Sequence, residues 1–367
     1  MKETRVGIIG YGAMGQHHAH VWSGIPDVWV AAVVDPVEEL RREAKAKWGC
    51  NVFKSMEGMF KFEKSALDVV IVATHVPMHH TQVLSAIRHG CHVVCEKPMA
   101  ATLQECDDMV AMARNADVRL AIHHQSIFSR AFRDARDRIA SHEIGDLQVM
   151  RAYGKGRIAC SDLMEIAGHL THGMCYLAGA DPIRVWGDVT SQGRDVTFKD
   201  VARVQDLYSA GRDSGMGAGD RMFGFYKFAN GARGELQLTM VDDPPSTFNE
   251  QRVCGYYIDV FGTAERLRLY LPRVLFRNKS PLDDQARQET PWDEVNPDYR
   301  NDKDPVLTSY FADDFLCAIA EKRDSMVPGS DGVKVMETTL GIYRAHLLGS
   351  SLPIPLTARA HPFIYHA

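Results

Sequence analysis

The chain reads as two α/β domains: a doubly wound parallel sheet of Rossmann type, then an α+β domain on a large, mostly antiparallel open sheet. Three observations predict this. From residue 5 to about 122, apolar Val- and Ile-rich runs alternate with helical segments, the pattern of parallel strands covered on both faces. The first run enters a glycine loop, "GIIGYGAMG". Beyond about residue 123 the pattern changes to a long helix followed by strand pairs of alternating polarity. The expected division is residues 1–122 and 123–367, and a chain of 367 residues is about twice an ordinary domain.

In order, the strands of the first domain are "RVGIIG", "VWVAAVVD", "LDVVIVAT", "CHVVCE" and "RLAIHH". Between them, "VEELRREAKAKWG" and "TLQECDDMVAMARNAD" carry helical periodicity and capping residues. In the second domain "FSRAFRDARDRIASHEIG" is helical. "RMFGFYKFANGARGELQLTMV" is a strand pair whose "NGARG" makes the turn. A loop-rich stretch, "RNKSPLDDQARQETPWDEVNPDYRNDKDP", leads to two helices, "LTSYFADDFLCAIAEK" and "DGVKVMETTLGIYRAHLLG".

Composition removes several function classes. Hydrophobic residues make up 45% and charged residues 24%, and no apolar run approaches the roughly 20 residues of a membrane span. The net charge is −5, without a basic block to follow a phosphate backbone, so nucleic acid is not an expected partner. Arg5 and "VGIIG" precede glycines rather than a small-residue cleavage site, and a cytoplasmic protein is expected. The eight cysteines, at 50, 91, 95, 106, 160, 175, 254 and 317, form no C-x2-C pair, which suits reduced thiols rather than a zinc knuckle.

The glycine loop has the context that gives the motif meaning, a strand before it and a helix after. Gly10 makes the tight turn, Gly12 admits the pyrophosphate, and Gly15 lets the helix pack close, with Ala13 and Met14 completing the cradle. Twenty residues beyond Gly15, Asp35 ends the second strand. A carboxylate there accepts from a ribose 2′-hydroxyl and repels a 2′-phosphate, so NAD is expected over NADP. Arg41 and Arg42, further along, read as solvated helix-face residues. His17, His18 and His20 fall on different faces of the first helix and read as packing or solvent-facing groups rather than ligands.

Strand ends at the carboxyl edge of such a sheet are where a nicotinamide meets its substrate. Glu96-Lys97-Pro98 closes one strand there and Thr74 another, so Lys97 is a candidate catalytic group. A solvated Glu96–Lys97 pair at a turn fixed by Pro98 is the competing reading.

With these stretches in view, the chain resembles the Gfo/Idh/MocA oxidoreductase family, named for glucose-fructose oxidoreductase and inositol dehydrogenase. The resemblance rests on "GIIGYGAMG", "ATHVPMHHTQVLSAIRHGCHVVCEKPMA", "DLMEIAGHLTHGMCYLAG" and "DFLCAIAEKR". It implies NAD, a sugar or cyclitol substrate, and a homodimer or homotetramer that buries the outer face of the open sheet. By position it implies that Lys97 contacts the reacting oxygen and the nicotinamide ribose. Thr74, His79 and Glu96 would line the cofactor site and Gln125 the nicotinamide.

The family's second catalytic element matches Glu165, His169 and His172, whose offsets of four and seven place them on one helix face. The resemblance makes His169 the proton acceptor, with Glu165 orienting it or binding a substrate hydroxyl and His172 binding substrate. Base duty stays open between His169 and Lys97. Glu165 and His172 both stand where the family commonly has aspartate, and His75-Val76 replaces a frequent Pro-Asn. No metal is expected, although Glu165, His169 and His172 form a conceivable ligand set. Lys155 and Arg157 precede this helix and can reach a hydroxyl-rich or anionic substrate. The expected function is hydride transfer between nicotinamide and a secondary alcohol or ketone of a sugar, cyclitol or related polyol. The alternatives are an NAD-retaining, glycoside-cleaving enzyme that oxidises only transiently, and a non-catalytic NAD-binding regulator.

Overall fold

The computed structural model describes residues 3–63, 66–156, 161–205, 213–240, 256–278 and 292–363. They cluster into two compact units. The first runs to His124 and regains the chain at Gln205–Gly215 and Asp304–Val333; the second holds Gln125–Val204, Met216–Lys303 and Lys334 onward. This differs from a single cut at 122, because a late helix returns to the N-terminal unit.

The N-terminal unit contains β1 (Thr4–Ile9), α1 (Ala13–Trp22), β2 (Val28–Val34), α2 (Glu38–Trp48), β3 (Asn51–Phe53), α3 (Met56–Glu63), β4 (Val69–Val72), α4 (Val76–Arg88), β5 (His92–Cys95), α5 (Leu103–Asn115) and β6 (Leu120–Ile122). Its strands form one parallel sheet in the order β3-β2-β1-β4-β5-β6, the doubly wound order with its switch point between β1 and β4. All four residues of β4 are buried, and each such aliphatic side chain contributes about 1.5–3 kcal/mol. Thr102 and Glu105 close a reciprocal capping box on α5. Gly49 ends α2 in the left-handed region.

The second unit contains α6 (Arg130–Ala140), β7 (Leu147–Gly156), α7 (Ser161–Ala178), β8 (Pro182–Ser191), β9 (Arg194–Asp195), β12 (Arg221–Phe228), β13 (Arg233–Met240), β14 (Tyr257–Gly262), β15 (Arg266–Tyr270), β16 (Val274–Asn278) and β17 (Asp293–Glu294); β10 (Ala202–Gln205) and β11 (Asp213–Gly217) form a separate two-stranded sheet, of which Gln205–Gly215 counts with the first unit. After these come α8 (Asp304–Glu321), which belongs to the first unit, then α9 (Gly329–Leu348) and β18 (Leu352–Pro353).

The large sheet runs β17-β16-β15-β14-β7-β13-β12-β8-β18, with β9 beside β8. Every described pairing in it is antiparallel except β7 with β13. The expected turn is present: β12 and β13 pair in register around Asn230-Gly231. One face is apolar and buried, with Val185, Val189, Met222, Tyr226, Leu236 and Leu238 beneath helices. The opposite face carries an aromatic and basic surface. Trp186 lies 5.5 Å from Phe225, and Arg268 stands over Tyr257 and Trp292. No helix among the described residues is long and apolar enough to cross a membrane.

Candidate active site

The glycine loop is shaped by close approaches that admit no side chain. Gly10 has φ +91°, and a Cβ there would lie 2.6 Å from the Ala73 carbonyl oxygen. A Cβ on Gly15 would lie 1.9 Å from the Gly10 carbonyl oxygen, so only glycine lets α1 start so close to the strand it follows. Gly12 is the N-cap of α1, without a side-chain cap or an acid in the first turn. Ala13 and Met14 are exposed. The free N–H groups and positive dipole end there face outward, as an anionic pyrophosphate requires.

Beside the loop is a cavity of about 480 Å³ lined by Gly10, Asp35, Thr74 and Gln82, together with residues after β3 (Lys54, Ser55, Met56, Glu57) and the start of α4 (His75, Pro77, Met78, Thr81). Its size suits part of a dinucleotide. Asp35 is buried there, accepting from the Tyr11 N–H through Oδ2 (2.9 Å) and the Val37 N–H through Oδ1 (2.8 Å). Each oxygen keeps a second acceptor site for a ribose hydroxyl. Arg41 is not simply solvated: its guanidinium donates to the carbonyls of Asp35 (2.7 Å) and Pro36 (2.9 Å). Arg42 pairs with Glu38 at the surface.

Thr74 lines the cavity and donates to Gln82 at 2.5 Å. Gln82, Lys54 and the α4 residues escaped sequence reasoning. The usable signal was positional, since they follow the carboxyl ends of β3 and β4, where the glycine loop also leaves β1. Two expected cofactor-lining residues point elsewhere. His79 is 1% exposed, with Nδ1 3.0 Å from the Pro98 carbonyl oxygen and Nε2 3.2 Å from that of Thr74. It ties the ends of β4 and β5 together beneath the site. Burial pushes its imidazole below the ordinary value, against those carbonyl contacts.

Glu96 is likewise turned inward and is no solvated pair with Lys97. Its Oε1 lies 2.8 Å from His18 Nε2 and 2.9 Å from His123 Nδ1, and its Oε2 accepts from the Lys97 backbone N–H at 3.2 Å. Burial by itself would push this carboxyl up; the charge and hydrogen bonds of His123 and His18 outweigh it and hold Glu96 well below the carboxylate range. Burial, then the neighbouring His123, pushes His18 down. The reading of the three histidines as packing or solvent-facing groups holds, with partners the sequence did not name. His18 packs inward as a partner of the E-K-P element, His17 Nε2 is 2.9 Å from the Thr308 hydroxyl, and only His20 faces solvent.

Glu96, His18 and His123 are the only group of metal-ligating type found together among the described residues. Their hydrogen-bond spacing is tighter than the roughly 3.3 Å between two ligands of a tetrahedral zinc. It is a hydrogen-bonded cluster.

Lys97 follows β5 at the same sheet edge as Thr74. Val72 and Cys95 are register partners on β4 and β5, so Thr74 and Lys97 each stand two residues past a matched pair. Lys97 is half-buried.

In the second unit, Gln125 opens a short 3-10 turn, Gln125–Phe128, and its Oε1 is buried with no hydrogen-bond partner among the described residues. Helix α7 carries Glu165, His169 and His172. His169 is half-buried, whereas His172 is 4% exposed. Burial, with Lys334 adding to it, pushes the His172 imidazole down to about 4. That position suits a packed neutral ring better than a substrate-facing one, which corrects the expectation for His172. The Glu165 and Lys155 side chains and all of Arg157 lie outside the described residues.

Residues 4–124 match the family model described as "Oxidoreductase family, NAD-binding Rossmann fold". Myo-inositol 2-dehydrogenase of Thermotoga maritima is 30% identical over 148 residues, 40% of this chain and 44% of that one. The chain thus spans less than half of that relative. A 2,7-anhydro-N-acetylneuraminate hydratase of Mediterraneibacter gnavus is 26% identical over 292 residues, 74% of this chain and 73% of that one. Levoglucosan dehydrogenase in complex with NADH shares the fold, with a TM-score of 0.75 and 19% identity, covering 96% of this chain and 99% of that one. The glycine cradle, the cavity beside Asp35 and these matches lead to one conclusion: residues 4–124 are an NAD-binding Rossmann domain that matches the Gfo/Idh/MocA oxidoreductase family model.

Proposed function

We propose that the protein is an NAD-dependent dehydrogenase acting on a secondary hydroxyl or ketone of a sugar, cyclitol or related polyol. The observation that carries this reading is the shared sheet edge, where the glycine cradle, Asp35 and Thr74 surround a cavity and Lys97 leaves the adjacent strand. Gly10, Gly12, Ala13, Met14 and Gly15 would hold the pyrophosphate and Asp35 the ribose, a carboxylate choice that favours NAD over NADP. Bound NAD supplies the hydride acceptor.

Lys97 provides a positive charge where alkoxide character develops on the reacting oxygen. His169 takes the hydroxyl proton, and Glu165 orients it. Gln125 is assigned to the nicotinamide amide, supported by its buried, unpaired oxygen. Lys155 and Arg157 are assigned to substrate hydroxyls. The aromatic face of the large sheet, with Trp186 and Phe225 exposed, supports a homodimer or homotetramer closed over it.

The test is NADH formation by the full chain against a panel of sugars and inositols. Lys97→Ala should lower kcat at least about 100-fold while NAD still binds. Unchanged turnover in that variant would remove the role given to Lys97, and no NADH formation by the wild-type chain on any member of the panel would leave the non-catalytic regulator as the better reading. A relative named as a hydratase favours one further alternative, an NAD-retaining enzyme that oxidises only transiently. Glycoside cleavage without accumulating NADH would select it.

A further inference from the structure

We propose that Glu96 is a positioning residue for Lys97, clamped by a relay of histidines and one threonine drawn from three parts of the N-terminal unit. The inference rests on the reading of Lys97 as the reactive lysine. One end of the Glu96 carboxylate is gripped by His18 from α1 and His123 just past β6; the other accepts the Lys97 backbone N–H. Behind the imidazoles, the Thr308 hydroxyl of α8 bridges His123 Nε2 (3.2 Å) and His17 Nε2 (2.9 Å). The His18 and His123 rings meet edge to face at 4.5 Å.

This arrangement is costly as mere scaffolding. An ionised carboxylate in the interior loses several kcal/mol of hydration, and an apolar side chain would fill the same space without that loss. What the carboxylate adds is an acceptor at each end. Because it is acceptor-only, its N–H partners cannot exchange roles, so its plane is fixed and with it the peptide from which the Lys97 side chain departs. A misplacement of about 1 Å at a reacting group costs on the order of 100-fold in rate.

Two substitutions separate positioning from packing. Glu96→Gln keeps the shape, but its amide puts a donor against either the imidazoles or the Lys97 N–H. Thr308→Val removes only the hydroxyl, and Thr308→Ser restores it. In the full chain, backbone amide exchange of Lys97 should accelerate at least about 10-fold in Glu96→Gln. With a substrate found by the panel, kcat should fall at least about 10-fold while the NAD Kd stays within about 3-fold. Thr308→Val should show the same pattern more weakly, and Thr308→Ser should recover most of it. Wild-type Lys97 exchange and kcat in both Glu96→Gln and Thr308→Val would overturn the proposal, as would a kcat loss that merely tracks the fraction unfolded. If Glu96→Gln does not fold, the Thr308 pair decides. The exchange measurement needs no substrate, so loss of the Lys97 reading through an active Lys97→Ala would be seen separately.

Discussion

His172 makes the second unit acid-sensitive in a way that can be calculated. Burial holds its imidazole at about 4 in the folded chain against 6.5 when exposed. Between those values the unfolded chain binds a proton that the folded chain excludes, so stability rises with pH across the window and is lost on acidification. At about 1.36 kcal/mol per pH unit, the site costs about 3 kcal/mol of folding free energy between pH 7 and pH 4. His361, also held at about 4, adds a second contribution of the same sign. The assay is urea unfolding of wild type and His172→Gln at a series of pH values in that range. The variant should be less stable at neutral pH yet show a shallower fall on acidification, and its KM for substrate should be unchanged. Parallel slopes would refute the reasoning, and a raised KM would return His172 to the substrate.

Two further outcomes follow from the geometry. Gly15→Ala places a methyl 1.9 Å from the Gly10 carbonyl oxygen. It should weaken NAD binding at least about 100-fold by calorimetry, and near-normal affinity would show that the loop does not hold the pyrophosphate. Phe225→Arg puts a charge beside Trp186 on the exposed sheet face. It should reduce the assembly to monomers by light scattering, and a wild type that is already monomeric would remove the assembly from the proposal.

Much of the N-terminal unit was legible because its signals are local. Runs such as "VVIV" bury both faces of a strand, and Gly10 and Gly15 mark backbone approaches that any side chain would block. Asn230-Gly231 announced its hairpin for the same reason. The histidines were harder. Their scatter around α1 was readable, but the partner of His18 is 78 positions away and that of His17 is 291 away. No periodicity reports a contact between a helix and a strand end so far along the chain. Glu96 and His79 were assigned to the cofactor through the family resemblance, yet a residue at a strand end can turn its side chain inward as readily as outward. Likewise the spacing of His169 and His172 put them on one helix face without saying how deep that face is buried.

The return of α8 to the first unit has a consequence for synthesis. Trp22 of α1 is fully buried and meets Phe315 of α8 edge to face at 6.5 Å, and Thr308 completes the histidine cluster. When β6 leaves the ribosome, about 200 residues remain before α8 emerges, a delay on the order of 10–40 s. Through that interval the nascent Rossmann sheet can form while the indole and the two imidazoles stay uncovered. The cofactor domain is thus finished only once α8 has been made, long after its own sheet, and Trp22 waits uncovered in the meantime.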